Sequence, residues 1–200
     1  MATDLSEPVP IPPKERMNPN LTPAREDTML ARFGKPGPLT KNCSPPSATF
    51  ARQVISGVRL TPNLRVSGLK QAVASLQQIF REIEQASPDV FAQLRTAGML
   101  CVRARRTNPS RFSNHSWGTA IDLFLGAAAI PQGVALAQRG LVEVFEIFNR
   151  HGWYWGAEFS GDSVDSMHFE LSEESVNRLT NDLTRLASKR PRRRLSRRHR

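Results

Sequence analysis

The sequence predicts an α+β fold in which a small antiparallel sheet is flanked by helices. In several segments, apolar residues recur three to four positions apart, which is the periodicity of amphipathic helices. Short apolar segments typical of strands lie between them without regular alternation of strand and helix, and this argues against a parallel sheet. The 200 residues are enough for one domain with terminal extensions.

Composition divides the chain into three regions. Residues 1–50 contain ten of the fifteen prolines, so we expect an extended arm largely without regular structure, which Leu30 and Phe33 could fasten to the domain. Residues 51–188 are predicted to form the folded domain. Residues 189–200 carry eight of the 28 lysines and arginines and no acid, so self-repulsion predicts a disordered basic tail. Without this tail the net charge of +10 falls to +2, and the rest of the chain is nearly neutral.

The first half of the domain is predicted to contain two helices and a strand. Residues 67–85 carry one apolar stripe at helical spacing. Ser87-Pro88-Asp89 is typical of a helix start, with the serine as N-cap and the proline in the first turn. Gly98 is expected to end this unit, and Met99–Arg103 is predicted to be a strand.

The second half is predicted to begin with a polar loop over residues 107–114. The strands predicted after it are residues 119–124, 153–155 and 167–171. A helix is predicted over residues 141–150, with Gly152 as its stop. Ser172 is predicted to cap a last helix, whose apolar face comprises Val176, Leu179, Leu183 and Leu186.

Neither the cysteines nor the N-terminus identifies a compartment. Cys43 and Cys101 match no metal-binding or redox spacing, and whether they pair is left open. The N-terminal stretch MATDLSEPVPIPPKER is acidic and proline-rich, so no secretory signal is predicted. No apolar run approaches the ~18 residues of a membrane span.

Two short segments, residues 113–122 and 165–170, contain candidate metal ligands. His115, Asp122 and His168 would give three ligands with one coordination position open, as expected of a catalytic zinc site. His115 and Asp122 would point to opposite faces of a straight strand, but a glycine between them, Gly118, lets the chain bend. We therefore predict that the two side chains converge. The alternative is a loop histidine with a capping or paired aspartate.

Asp165 is the candidate general base. It precedes His168 by three residues, before the strand begins, so it could lie beside the metal without binding it and accept a proton from water. Asp162 is a weaker candidate for the same role. The oxyanion formed on the attacked carbonyl also requires a donor. Arg103 and Arg105 lie on one face of the predicted strand and either could supply it, although a solvated basic edge is the alternative for each.

These residues form the pattern S-x-H-x-x-G-x-A-x-D, followed by G-W-x-W and D-x-M-H-F-E. The pattern resembles the D-alanyl-D-alanine carboxypeptidase and L-alanyl-D-glutamate endopeptidase family of zinc peptidases, over roughly residues 60–175. The resemblance implies the α+β fold shared with the hedgehog signalling domain. It also implies one zinc ion held by His115, Asp122 and His168, with Asp165 as the acid/base carboxylate. An aspartate there is closer to the endopeptidase branch, and the upstream arginine of the family has no unambiguous counterpart.

Four further residues are candidates for supporting roles. Ser113, Trp117 and Trp155 are predicted to contact the substrate, and a position in the core is the alternative for the aromatic residues. Glu170, two residues beyond His168 on the same strand face, is predicted to make a hydrogen bond behind the ligands.

The leading hypothesis is a zinc metallopeptidase that hydrolyses an amide bond in the peptide stems of peptidoglycan. It would act in the cell envelope or periplasm after export by an unknown route. A second hypothesis is a hedgehog-like interaction module that keeps the fold and metal without the activity, but such a site has no need of Asp165. A third is nucleic-acid binding through the tail, which the nearly neutral body disfavours. The tail could instead bind anionic polymers of the cell wall.

Overall fold

The computed structural model of the protein describes residues 3–179. The strands are β1 (Pro8–Pro10), β2 (Val54–Thr61), β3 (Leu64–Leu69), β4 (Arg95–Gly98), β5 (Ala120–Phe124), β6 (Leu136–Gln138), β7 (Trp153–Trp155) and β8 (His168–Leu171). The α-helices are α1 (Glu26–Phe33), α2 (Ala48–Ala51), α3 (Lys70–Ala86), α4 (Pro88–Gln93) and α5 (Arg139–Arg150). Residues 173–179 are also helical. The predicted α+β class is confirmed, whereas the basic tail, Leu183 and Leu186 lie outside the described residues.

A four-stranded antiparallel sheet with the order β4-β5-β8-β7 positions the candidate site. Its two central strands pair in a register that sets Asp122 opposite His168. Successive side chains of a strand point to opposite faces, so Ile121 and Phe169 point away from this pair. Both are fully buried in the core. One face of the sheet therefore packs the core, and the other presents candidate ligands.

Two amphipathic helices contribute to the core: α5 packs against β7 of the sheet, and α3 packs against α5 and the hairpin of β2 and β3. The buried residues of α3 are Ala72, Val73, Leu76, Ile79, Phe80 and Ile83, and those of α5 include Leu141, Val144, Phe145 and Phe148. Phe148 stacks on Phe169 of β8 with 4.1 Å between ring centroids. The apolar stripes predicted for both helices are thus confirmed. Helix α3 begins at Lys70 rather than Ser67, because residues 64–69 pair with β2.

The hairpin formed by β2 and β3 was not predicted from the sequence. Thr61 pairs with Leu64, so Pro62-Asn63 forms a two-residue connection between antiparallel strands. A turn of this length between β-branched and apolar residues is a recognised hairpin signal. The hairpin matters for the site because its last strand passes next to Gly118.

The strand predicted over Met99–Arg103 is wrong. The edge strand is Arg95–Gly98, and Gly98 lies at its end with φ +131° rather than ending the preceding helix. Beyond it the chain makes only isolated bridges, in which Val102 pairs with Ser44 and Ala104 with Phe112. Cys101 is joined by a disulfide to Cys43, which answers the question that the sequence left open. The segment leaves the sheet because its partners are the N-terminal arm and its own return loop.

The arm is more regular than its proline content predicts. Glu26–Phe33 forms two turns of helix where no proline interrupts the chain, with Glu26 and Asp27 favourably placed at its N-terminus. Phe33 is buried, as expected of a residue that fastens the arm. Strand β1 pairs with β6, so the arm lies against the domain over much of its length. The division of the chain at residue 50 stays a prediction. Within residues 3–179, no helix has both the length and the apolar character needed to cross a membrane.

Candidate metal centre

A tight turn delivers His115 to the sheet. His115 lies in a 3-10 turn, Asn114–Trp117, which ends at Gly118 in the left-handed conformation with φ +59° and ψ +40°. A Cβ on Gly118 would lie 2.5 Å from the Cα of Gly68, so the close approach of β3 also requires glycine here. The predicted bend at Gly118 is confirmed.

Three side chains converge beyond this turn. The Nε2 atom of His115 lies 3.1 Å from Oδ1 of Asp122 and 3.2 Å from Nδ1 of His168, and the last two atoms are 3.1 Å apart. Tetrahedral ligands bound at about 2.0–2.1 Å from zinc are about 3.3 Å from one another. The three atoms therefore form one face of a tetrahedron of the right size. The group could hold a metal ion.

The second nitrogen of each imidazole, which faces away from the cluster, forms a hydrogen bond. Nδ1 of His115 donates to the carbonyl of Met99 at 2.8 Å, and Nε2 of His168 donates to Oε2 of Glu170 at 2.9 Å. Each ring thus carries its proton on the nitrogen that faces away from the cluster, which leaves the inner nitrogen free to bind a cation. Glu170 makes the hydrogen bond that the sequence predicts for it.

The electrostatics of the cluster also favour a cation. Burial alone would raise the pKa of Asp122, but the charges and hydrogen bonds of His115 and His168 outweigh it and hold the pKa well below its usual range. Burial opposes the charged form of His168, but hydrogen bonds to Asp122 and Glu170 prevail and raise its pKa to about 10. Two carboxylates, those of Asp122 and Glu170, contact His168 and favour positive charge there. A metal ion can supply that charge in place of a proton.

Asp165 lies beside the three ligand residues without joining them. Its backbone N–H donates to the carbonyl of Gly156 at 3.0 Å, and its own carbonyl accepts from the backbone N–H of His168 at 3.2 Å. A Cβ on Gly156 would lie 2.8 Å from the Asp165 carbonyl, so glycine permits this packing. Burial is the main factor that raises the pKa of the Asp165 carboxyl. Its Oδ1 is buried and has no hydrogen-bond partner among the described residues.

The cluster opens into a cavity of about 320 Å³. It is lined by the three ligand candidates, by Asp165, Ser113, Asn114, Phe159 and Glu170, and by Pro23, Ala24, Arg103, Arg105, Arg106, Thr107, Gln132 and Ser163. Ser113 therefore has access to a ligand in the cavity. Asp162 is exposed and does not line it, so the structure favours Asp165 over this competitor.

Three arginines share the cavity wall. Arg103 donates to the carbonyl of Ala104 and Arg105 to that of Phe112. In residues 3–179, no carboxylate lies within ion-pair distance of Arg103, Arg105 or Arg106. Burial and the nearby charge of Arg106 lower the pKa of Arg103, against the charges of Asp122 and Asp165. Arg103 thus lies within the electric field of the candidate ligand Asp122 and of Asp165, and all three arginines line the cavity.

The prediction that Trp117 and Trp155 contact the substrate is wrong. Neither has any exposed surface, and neither lines the cavity. The indole of Trp117 donates to the carbonyl of Gly34, and that of Trp155 donates to the carbonyl of Ser166. Trp155 also stacks on Phe145 and Phe169. Trp155 lies on the core face of the sheet, opposite the candidate ligands, whereas Trp117 packs edge-on against Phe112 next to the arm.

Sequence reasoning did not single out eight of the residues that line the cavity, and Arg106, Asn114 and Ala24 are three of them. Arg106 lies with Arg103 and Arg105 on the cavity wall, and Asn114 precedes the candidate ligand His115 and donates to Glu170. Ala24 comes from the arm, and no signal in the sequence indicates its position. The adjacency of Asn114 and His115 is the only clue that could have pointed to one of them.

Residues 107–171 match the family model described as D-alanyl-D-alanine carboxypeptidase. The resemblance to this zinc peptidase family is confirmed. The matched segment contains His115, Asp122, Asp165 and His168. The match supports peptidase activity, and the ligand geometry supports a metal-dependent one. No curated protein and no solved structure matches the chain.

Proposed function

We propose that the protein is a zinc peptidase that hydrolyses an amide bond in the peptide stems of peptidoglycan. The observation that carries this proposal is the triangle of His115, Asp122 and His168 atoms, 3.1–3.2 Å apart, with Asp165 lining the same cavity and one of its carboxylate oxygens unpartnered among the described residues. Two imidazoles and one carboxylate are donors that zinc accepts readily, and they leave a position open for chemistry.

The three ligand side chains would hold the ion without rearrangement, since their inner atoms already face one another. Met99 and Glu170 fix the two imidazole rings from behind. When bound there, zinc supplies Lewis acidity, which polarises a carbonyl and lowers the pKa of water to about 7.

Asp165 would act first as the proton acceptor and then as the proton donor. Its buried carboxylate accepts a proton from the attacking water as the new C–O bond forms at the scissile carbonyl. The same carboxyl then gives that proton to the leaving nitrogen as the C–N bond breaks, so the amine departs neutral. Its free oxygen, Oδ1, is the acceptor with no competing partner among the described residues.

Arg103 would stabilise the charge that develops on the carbonyl oxygen. It is half-buried, lines the cavity and interacts with Asp122 and Asp165. A positioned donor in a partly desolvated site is worth more than the same donor in water. Arg105 lines the same wall, so it stays the second candidate for this role.

The substrate and compartment are inferred from the resemblance. The matching family model is named for cleavage of D-alanyl-D-alanine, and peptidoglycan stems contain that bond. We infer that the protein acts as a carboxypeptidase or an L-alanyl-D-glutamate endopeptidase in the cell envelope or periplasm. The basic residues 189–200 would favour anionic wall polymers and lie outside the described residues.

The decisive experiment compares wild type with Asp165→Ala on purified peptidoglycan, with fragments identified by mass. The wild type should release new amino and carboxyl ends that name the bond. Asp165→Ala should remain folded and zinc-bound but lose about 10²–10⁴-fold in turnover, as expected when a general base is removed. Asp162→Ala is the matched control, because it removes a nearby exposed carboxylate, and it should keep full activity.

Unchanged turnover in Asp165→Ala would remove the role assigned to this residue. Zinc binding by the wild type without hydrolysis of any stem peptide would instead favour the non-catalytic, hedgehog-like module. Treatment with a chelator should abolish hydrolysis, and added Zn²⁺ should restore it.

A further inference from the structure

A piece of the N-terminal arm lies directly against the metal centre. Pro23 and Ala24 line the same cavity as the ligand residues. Pro23 forms an antiparallel bridge with Ser172, which directly follows β8. Ala24 is 3 % exposed. The arm therefore forms part of the cavity wall, although it precedes His115 by about ninety residues of chain.

The contact with the centre passes through Glu170. Oε2 of Glu170 accepts hydrogen bonds from Nε2 of His168 at 2.9 Å and from Nδ2 of Asn114 at 2.8 Å. Oε1 accepts from the backbone N–H of Ala24 at 3.2 Å. Asn114 also donates to the carbonyl of Ala24 at 3.1 Å. The amide of Asn114, the main chain of Ala24 and the carboxylate of Glu170 thus form a closed set of hydrogen bonds.

A buried carboxylate requires this set of donors. Glu170 is only 4 % exposed, and a charge buried without hydrogen bonds is strongly unfavourable. Three donors from distant parts of the chain form hydrogen bonds with the carboxylate of Glu170 and fix its orientation. That orientation fixes the ring of His168, because a hydrogen bond to the outer nitrogen sets the tautomer and the ring plane of a ligand histidine.

Polar anchors on both sides hold the arm at this place. The backbone N–H and hydroxyl of Thr22 donate to the carboxylate of Glu174 at 3.0 and 2.8 Å. On the other side, the carboxylate of Glu26 accepts from the backbone N–H of Phe112 at 2.6 Å and from Arg111 at 2.8 Å. Neither anchor touches a candidate ligand. Both keep Ala24 at hydrogen-bonding distance from Glu170.

We propose that Asn114 and the main chain of Ala24 are positioning groups for the metal centre, which makes the N-terminal arm part of the peptidase site. Both act through Glu170 on His168 and touch neither the substrate nor the ion. The inference rests on the proposed function, because it takes the cluster to be a zinc site.

The test measures zinc affinity of the full chain by competition with a chelator of known affinity. Asn114→Ala removes two of the hydrogen bonds and should weaken zinc binding about 10–100-fold, the usual effect of losing such support behind a ligand. Ala24→Pro removes the N–H that reaches Glu170 and should weaken it in the same direction. The visible spectrum of the Co²⁺-substituted variants should change, because the geometry at His168 changes.

Asn149→Ala is the matched control. Asn149 is a comparably buried asparagine whose side chain bonds Asn18 of the arm and the carbonyl of Trp153, away from the metal centre. It should lower the melting temperature as Asn114→Ala does but leave zinc affinity within about twofold of wild type, since the support of His168 is intact.

The outcomes separate the two proposals. A folded Asn114→Ala or Ala24→Pro variant that binds zinc as tightly as wild type overturns the positioning role. If Asn114→Ala does not fold, Ala24→Pro is judged by the same criterion, and if neither folds, Asn114→Ser, whose shorter side chain loses both hydrogen bonds, is judged by it. A wild type that binds no zinc overturns the proposed function itself, and the inference with it.

Discussion

The cavity has two unlike walls. On the sheet wall, Asp122 and His168 sit on paired central strands, and their hydrogen-bonding atoms are matched by neighbours. The arginine wall consists of Arg103, Arg105 and Arg106, which lie on an irregular segment. The side chains of Arg103 and Arg105 donate hydrogen bonds to backbone carbonyls. The first wall contributes two of the three residues that could hold a metal ion. The second carries positive charge that none of the described carboxylates neutralises by an ion pair.

This difference indicates that the two walls serve different functions. Side chains on paired strands with complete hydrogen bonding are preorganised, as the binding of a metal ion requires. The guanidinium groups of arginines on an irregular segment remain available to bind a carboxylate of the substrate or the oxyanion that forms during its hydrolysis. Changes on the sheet wall should therefore affect metal binding, and changes on the arginine wall should affect turnover.

Among the changes that compare the two walls, the largest expected effect belongs to Arg103. Arg103→Ala should lower kcat about 10²–10³-fold with zinc affinity unchanged, the effect of losing one positioned oxyanion donor. Arg103→Lys should recover only part of it, because an ammonium lacks the planar fork. Arg105→Ala is the matched comparison and should cost less. A greater loss in Arg105→Ala than in Arg103→Ala would exchange the two assignments.

Gly118→Ala tests the sheet wall. The left-handed backbone costs a non-glycine residue about 1–3 kcal/mol, and the added Cβ would also meet the backbone of Gly68 at 2.5 Å. We expect a large loss of stability in urea together with weaker zinc binding. Gly57→Ala is the control, because Gly57 has a similar φ of +67° with nothing near its Cβ position. Equal losses in both variants would show that the close approach to β3 is unimportant.

Breaking the disulfide should loosen the arginine wall more than the sheet wall. Cys43–Cys101 ties the arm to the segment that leads to Arg103, across a separation of 58 residues. Loss of such a cross-link typically costs about 2–4 kcal/mol. Urea unfolding with and without reductant measures the cost, and a Cys43→Ser, Cys101→Ser variant should be insensitive to reductant. Zinc affinity of the reduced protein should stay near that of the oxidised protein, and a collapse of zinc binding would contradict the division between the walls.

The smallest expected effect lies away from both walls, where Glu82 of α3 contacts Arg150, the last residue of α5, and His151, which follows it. Hydrogen bonds from Arg150, and then from His151, hold the pKa of Glu82 below its usual range. A lowered carboxyl pKa stabilises the fold above the unfolded-state pKa, and this contribution is lost as pH falls through the folded-state value. The Glu82 side chain is 37 % exposed, so solvent screening limits the contribution to about 0.5 kcal/mol.

Glu82→Gln should therefore lower stability slightly at pH 7, and the difference from wild type should shrink below about pH 4. Urea unfolding at both pH values measures it. Zinc affinity and turnover should not change, since the pair lies outside the cavity. A difference that grows toward acid pH would contradict the assigned sign.

The ligand set could be predicted because its residues are chemically distinctive and closely spaced along the chain. His115 and Asp122 needed one further condition, a bend, and Gly118 is the residue type that permits it. Asp165 was identifiable from its position before the strand that carries His168. The positions of the tryptophans were predicted wrongly because an aromatic residue beside a ligand motif is equally compatible with a binding groove and with the core. The alternation of side chains along β7 places Trp155 on the core face of the sheet, where it is fully buried.

The contacts of the arm and the path of the segment that carries the arginines could not be predicted from the sequence, for a different reason. Ten prolines suggested an arm without regular structure, yet Glu26–Phe33 is helical and Ala24 reaches Glu170. The strand expected at Met99–Arg103 is absent because Val102 bridges to Ser44 instead of extending the sheet. The helix is a local feature, whereas the contacts of Ala24 with Glu170 and of Val102 with Ser44 join residues more than fifty positions apart, and local pattern carries no information about them.

The sequence by itself determined the chemistry that is available: the donor types, the residue that permits the bend at Gly118, the carboxylate of Asp165 close to His168 in the chain, and the apolar stripes of α3 and α5. Only the tertiary structure decided the surroundings: that the tryptophans face the core, that Arg103 faces the cavity, and that Ala24 completes the hydrogen bonding of Glu170. Residue identity and short spacing fix which atoms can bind a metal. The direction of a side chain and the partner of a buried charge are set by packing between distant segments.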